Sequence, residues 1–167
     1  MAGAVGSRTD PDTAADSHRW GCGLMQTTNI SWAVYTWNPV TGCSHAGPGG
    51  WNCYAETFSR RQGRTDEPWT VENADGNVTM HPDRLEDPDE YHWPEGHGRT
   101  FVGSMTDLFQ SQVDTEFVQR VIDKCAEYQD RAWIWLTRRQ QNVDWRRTDR
   151  RAQRWVAARV GPYTAGM

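Results

Sequence analysis

Three short apolar runs, each followed by a loop and a helical pattern, limit the fold of this 167-residue chain more than any other feature. The runs are Ile30 to Trp37, Phe101 to Met105, and Ala132 to Thr137. Their lengths and their β-branched and aromatic residues are typical of strands. Strands that alternate with helices form parallel sheets with right-handed connections. The sequence therefore predicts an α/β fold with a parallel sheet of about three βα units.

The first helix is expected from Cys53 to Gln62. Asn52 is placed as its N-cap, and Tyr54, Ala55 and Phe58 recur at the spacing of one apolar stripe. An N-cap at Asn52 would put the Cys53 sulfur at a helix N-terminus, where the helix dipole favours thiolate over thiol.

Two further helices are predicted. Asp114 is the expected N-cap of the second, whose apolar residues recur with helical spacing. The third is expected over Val143 to Val160 and is rich in arginine. Its six arginines either bind RNA or DNA phosphates or are simply solvated; they are Arg146, Arg147, Arg150, Arg151, Arg154 and Arg159.

The aliphatic core is small, because only 23 residues are Leu, Ile, Val or Phe. Such a low share is typical of disordered chains. Ten tryptophans and a formal net charge of only -4 favour a folded domain instead. Residues 1–29, rich in Gly, Ala, Ser, Thr and Asp, are predicted to form a flexible tail. No apolar run is long enough to cross a membrane, so we expect a cytoplasmic protein with reduced thiols.

The loop after the first run contains two of the four cysteines, Cys43 and Cys53. Its glycine-rich sequence is suited to a metal or to a reactive sulfur. With His45, the two cysteines offer three ligands for zinc, although the spacing lacks the paired C-x2-C that makes zinc motifs specific. A disulfide between them is disfavoured in a reducing compartment.

Asp107 and Arg138 also follow apolar runs. Because ligands of parallel α/β sheets bind at the carboxyl ends of strands, Cys43, Asp107 and Arg138 are expected on one edge. We predict that Asp107 and Arg138 contact a cofactor. The alternatives are that Asp107 caps the turn after its strand and that Arg138 is solvated.

Five segments in the same order resemble one known family: TWNPVTGC, NCYAE, VTMHPDRL, FVGSMTDLF and WIWLTRR. They resemble the phage Gp37/Gp68-like proteins, a DUF5131-type family whose three-cysteine loop is similar to that of radical-SAM iron-sulfur enzymes. The resemblance covers residues 32–139. It implies a radical-SAM-like partial (β/α) barrel of the TIM-barrel type over residues 30–140, followed by an Arg-rich helix and C-terminal tail over 141–167.

The resemblance also implies a [4Fe-4S] cluster and S-adenosylmethionine as cofactors. In the family pattern C-x6-C-x2-C, Cys43 takes the first position and Cys53 the third, but the middle position is Gly50. Two thiolates hold a cubane cluster poorly, so a third ligand would have to come from His45, Cys22 or another chain. We expect that the chain as written holds no stable [4Fe-4S] cluster and that Gly50→Cys restores one.

Two functions follow. The resemblance implies a radical-SAM-like iron-sulfur protein of a phage or prophage, with an unknown substrate and an incomplete cluster site. The alternative is a non-catalytic, truncated remnant that binds a partner or nucleic acid through its C-terminal arginines.

Overall fold

A computed structural model describes residues 25–45, 52–93 and 98–143, together with the backbone of residues 156–159. The strands along the chain are β1 (Gln26–Thr27), β2 (Tyr35–Trp37), β3 (Val40–Thr41), β4 (Thr79–Met80), β5 (Arg99–Val102), β6 (Ala132–Thr137) and β7 (Val156–Arg159). The main sheet has the order β1-β2-β5-β6-β7, while β3 and β4 pair separately. β2, β5, β6 and β7 run parallel and β1 antiparallel. The predicted α/β class with a mostly parallel sheet is confirmed.

The helices are α1 (Tyr54–Arg61), α2 (Ala74–Asn77), α3 (Asp87–Glu90) and α4 (Thr115–Glu127), and 3-10 turns occupy Pro82–Glu86 and Gln140–Asn142. α4 begins as predicted, because the Asp114 carboxylate accepts hydrogen bonds from the N–H groups of Glu116 and Phe117 at 2.6 and 3.3 Å. The predicted cap of α1 is wrong. Cys53, not Asn52, is its N-cap residue, and no side chain caps that end.

Two of the three predicted strands have different bounds. β2 is only three residues long, since a turn closed by the Ala33 N–H and the Ile30 carbonyl (3.0 Å) occupies the chain before it. β5 ends before Gly103, whose φ of 78° turns the backbone out of the extended region. β6 has the predicted bounds.

The predicted helix over Val143 to Val160 is wrong at its C-terminal end. Val156–Arg159 is a strand, paired in parallel with Ile134–Thr137 of β6. Without this partner, the edge of β6 would leave a row of backbone N–H and C=O groups unpaired, so strand pairing outweighs the local helical pattern. The remainder of the predicted helix, residues 144–155, lies outside the described residues, as do five of its six arginines.

The predicted flexible tail, residues 1–29, overlaps the sheet at its end. Gln26 and Thr27 form β1 on the outer side of β2, and Met25 is buried. Residues 1–24 lie outside the described part of the chain. Among the described residues, no helix has the length and apolar character needed to cross a membrane.

Tryptophan fills much of the core, as the composition led us to expect. Alternate residues of β2 and β6 point to the same buried cluster as the apolar residues of α4. The rings of Trp37 and Trp133 lie 5.8 Å apart, and Trp93 meets Trp133 edge-on at 6.2 Å. Large aromatic surfaces thus replace the missing aliphatic residues and hold the three central strands in place.

Candidate functional site

The loops after β2, β5 and β6 are joined at the carboxyl edge of the sheet. The Gly103 N–H donates to the Trp37 carbonyl at 2.8 Å, and the Gly42 N–H donates to the Met105 carbonyl at 3.0 Å. Cys43 follows Gly42, so these bonds place it beside the start of the loop between β5 and α4. The edge expected from the strand-end rule is therefore where the first cysteine lies.

Gly42 allows this placement because of its backbone. Its φ is 83°, and a Cβ at this position would lie 1.7 Å from the Asn77 carbonyl oxygen. Only glycine permits both the positive φ and the close approach to the segment before β4. Gly42 therefore fixes the direction of the backbone that leads into Cys43.

Gln110 holds the backbone on both sides of Cys43. Its buried amide donates from Nε2 to the Gly42 carbonyl at 3.0 Å and accepts at Oε1 from the Ser44 N–H at 2.9 Å. The Thr106 hydroxyl donates to the same Gly42 carbonyl at 2.6 Å. Sequence reasoning missed Gln110, because its partners beside Cys43, Gly42 and Ser44, are more than 60 residues away and no local pattern marks it.

Cys43 is a half-buried thiol whose sulfur faces Arg139. Arg139 Nη1 lies 3.8 Å from Cys43 Sγ. Burial raises the pKa of the Cys43 thiol, and this effect outweighs the opposing influence of the Arg139 guanidinium and the Asp107 N–H. The site therefore favours the protonated sulfur, even though a cation lies next to it.

Arg139 is the arginine that enters the site. Its Nη1 lies 3.3 Å from Asp107 Oδ2, and its Nη2 donates to the Ser44 hydroxyl oxygen at 3.0 Å and to the Ser44 carbonyl. The predicted residue, Arg138, has an exposed side chain and contributes only its backbone N–H, to Asp107 Oδ2 at 3.1 Å. The alternation of β6 was the available signal, since Trp133, Trp135 and Thr137 are buried and residue 139 continues that series.

Asp107 lies in the site as predicted, and its contacts match the alternative of a turn cap. Its carboxylate accepts from the Thr137 hydroxyl at 2.8 Å, the Phe109 N–H at 3.2 Å and the Arg138 N–H, in addition to pairing with Arg139. Four partners occupy both of its oxygens. Asp107 connects the end of β6 to the loop after β5 through these bonds, so it stabilises the structure around the site.

His45 is paired with a carboxylate. Its Nε2 lies 2.7 Å from Glu56 Oε2, and Glu56 Oε1 accepts from the Trp69 N–H at 2.9 Å. Burial works against the charge of Glu56, but the bonds from Trp69 and His45 prevail and lower its pKa. This cluster fastens the cysteine loop to α1 and to the segment that contains Trp69.

The structure does not bring His45 together with both predicted cysteine ligands. Cys53 lies at the start of α1, half-buried. Across residues 25–45, 52–93 and 98–143, no three His, Cys, Asp or Glu side chains form a group that could hold a metal ion. Cys22 and Gly50, the other positions that bear on the ligand count, lie outside the described residues.

Comparison with known proteins gives one match. A protein-family model described as "Protein of unknown function (DUF5131)" matches residues 27–162. No curated protein and no solved structure matches the chain.

Proposed function

The chain belongs to the DUF5131 family, and from that membership we propose that it is a radical-SAM-like iron-sulfur protein of the phage Gp37/Gp68 type, with an unassigned substrate. The observation that supports this proposal is the position of the cysteine loop. It follows the first parallel strand, β2, precedes α1, and begins at the carboxyl edge, where ligands of such sheets bind. Cys43, Cys53 and Cys125 are free thiols, which suits the reducing cytoplasm that we propose as its location.

We also propose that the sheet is part of a (β/α) barrel. β2, β5, β6 and β7 are parallel neighbours in the same order in space as along the chain, which is the arrangement that a barrel of this kind needs. The proposed active edge would then be the carboxyl end of these strands, with Asp107 and Arg139 beside the first cysteine.

The donors of this chain do not fit a cluster held by three thiolates. Gly50 offers no ligand, and His45 pairs with Glu56 through Nε2, which leaves only its Nδ1 as a donor. The Cys43 sulfur has a cation, Arg139 Nη1, at 3.8 Å. Two thiolates leave the remaining irons to solvent, so we expect no stable [4Fe-4S] cluster, and we assign no step that uses S-adenosylmethionine.

The test is anaerobic reconstitution with iron and sulfide of the unmutated protein, Gly50→Cys and the matched control Gly50→Ser. We expect about four irons per chain only in Gly50→Cys, together with a paramagnetic signal after reduction. About four irons in the unmutated protein would contradict the expected ligand count. His45→Ala and Cys22→Ala would then identify the further ligand. Failure of Gly50→Cys to take up iron would refute the radical-SAM-like proposal.

A second candidate is a non-catalytic remnant that keeps the fold and binds a partner or nucleic acid. The arrangement around Cys43 favours it, because the half-buried sulfur lies 3.8 Å from Arg139 Nη1 and Arg139 is itself held by Asp107. A sulfur held in this way contributes to packing and hydrogen bonding without any metal. The same reconstitution decides between the candidates, since the remnant predicts no iron in any of the three proteins.

A further inference from the structure

Helix α1 has an uncovered aromatic side. Tyr54 and Phe58, one turn apart, are 59% and 45% exposed, although the sequence pattern had placed them in one apolar stripe with Ala55. The helix buries only Ala55 and Ser59. Large exposed rings at neighbouring positions of one helix are uncommon unless they contact something.

Both rings are held in place. The Tyr54 hydroxyl donates to the Ser104 carbonyl, which follows β5 at the carboxyl edge. The guanidinium carbon of Arg64 lies 5.4 Å from the centre of the Phe58 ring, within the range of a cation-π contact. Each ring therefore has a contact that orients it next to the candidate site, which lowers the cost of ordering it when a ligand binds.

The same side of the helix is positively charged. Arg61 is exposed and lies one turn after Phe58, and Arg64, also exposed, contacts the Phe58 ring. Arg60 lies one turn after Glu56, on a different side of the helix. The acid of this helix, Glu56, is occupied by His45 and the Trp69 N–H. Asp66 and Glu67 follow Arg64, so the positive charge is confined to α1 and its C-terminal end. We call Tyr54, Phe58, Arg61 and Arg64 the α1 face.

We propose that the α1 face binds single-stranded nucleic acid, with bases stacked on Tyr54 and Phe58 and phosphates at Arg61 and Arg64. Exposed aromatic rings next to arginines are the combination that such proteins use, because every base has a face that can stack and every nucleotide has a phosphate. Duplexes hide their base faces within the stack, so they fit this surface less well. The overall charge of -4 opposes general attraction to nucleic acid, which makes a local patch the relevant feature. The inference is independent of an iron-sulfur cluster.

The experiment measures binding of the full chain to a short fluorescein-labelled oligothymidylate by fluorescence anisotropy, at salt concentrations from about 50 to 200 mM. Phe58→Ala should weaken binding about tenfold, the loss expected from one stacked base. Phe58→Tyr should bind nearly as well as the unmutated protein, because it keeps an aromatic ring on which a base can stack. Binding by this variant also shows that a substitution at position 58 leaves the fold intact. Arg61→Gln and Arg64→Gln should each lower the slope of log K against log salt by about 0.7.

Two matched controls lie elsewhere. Arg120 of α4 is also an exposed arginine near a phenylalanine ring, with its guanidinium carbon 5.9 Å from the centre of Phe117. Val71 is an apolar side chain that is 65% exposed. Arg120→Gln and Val71→Ala should leave both the affinity and the salt slope unchanged.

Three results would overturn the inference. The first is no binding of the oligothymidylate at the lowest salt. The second is binding that Phe58→Ala leaves intact, which would point to the arginines of residues 141–167 instead. The third is tighter binding of the matching duplex than of the single strand.

Discussion

Replacing Asp107 by alanine should cost the fold far more than an average surface substitution. The carboxylate is 8% exposed and has four partners: the Thr137 hydroxyl, the backbone N–H groups of Phe109 and Arg138, and the Arg139 guanidinium. Asp107→Ala leaves three neutral donors without this acceptor and the mostly buried Arg139 guanidinium without its counter-ion, although Arg139 keeps its bonds to Ser44. Breaking one half of a buried pair typically costs 3–5 kcal/mol, so we expect a loss of about 3–5 kcal/mol in the free energy of unfolding.

The assay is urea unfolding followed by tryptophan fluorescence, since Trp133 and Trp135 on β6 lie in the core. Asp114→Ala is the matched control. Asp114 also accepts two backbone N–H bonds, but it is exposed and has no cation, so its loss should cost only about 1 kcal/mol. Asp107→Asn should fall between the two because it keeps one acceptor oxygen.

Equal costs for Asp107→Ala and Asp114→Ala would refute this reasoning. Asp107 would then contribute little to the fold, and the role predicted from the sequence, direct contact with a cofactor, would become the better explanation of its position at the edge of the sheet.

Two further predictions concern single residues. Gly42→Ala should lower the free energy of unfolding in urea by at least about 2 kcal/mol, because its Cβ would collide with the Asn77 carbonyl. The control Gly63→Ala, at a φ of 62° with open space around it, should cost only about 1 kcal/mol. Similar losses in the two variants would contradict the packing argument. Burial raises the pKa of Asp87 to about 7 from 3.8. The folded state then keeps a proton that the unfolded state releases, so stability falls as pH rises between these values, and Asp87→Asn should remove that fall and be more stable by roughly 2–4 kcal/mol at about pH 8. A mutant with the same pH profile as the unmutated protein would refute it.

The elements that the sequence predicted well are those determined by local patterns. α4 has an acidic N-cap and an unbroken apolar stripe, and it begins at the predicted cap. β6 is a continuous apolar run, and it has the predicted bounds. β2 and β5 differ because turns at their ends take up apolar residues. β7 depends on pairing with β6, which no pattern within Val156–Arg159 reveals.

The candidate site shows the same division. The strand-end rule placed Cys43 and Asp107 on one edge, because it depends only on where strands end and on their direction. The same rule led us to Arg138 instead of Arg139, because it gives no information on which of two adjacent side chains points into the site. The role of Gln110 required knowledge of which loops meet, and that depends on the whole sheet.

The hydrogen bonds around Cys43 affect how the missing cysteine ligand at position 50 should be interpreted. Within the described residues, the bonds that position Gly42, Cys43 and Ser44 come from the loops after β5 and β6. We expect these bonds to hold Cys43 in place in Gly50→Cys, because each of them joins the loop around Cys43 to a residue remote in sequence from position 50. The substitution should then change the number of ligands, which is why its iron content is a direct test of the ligand count.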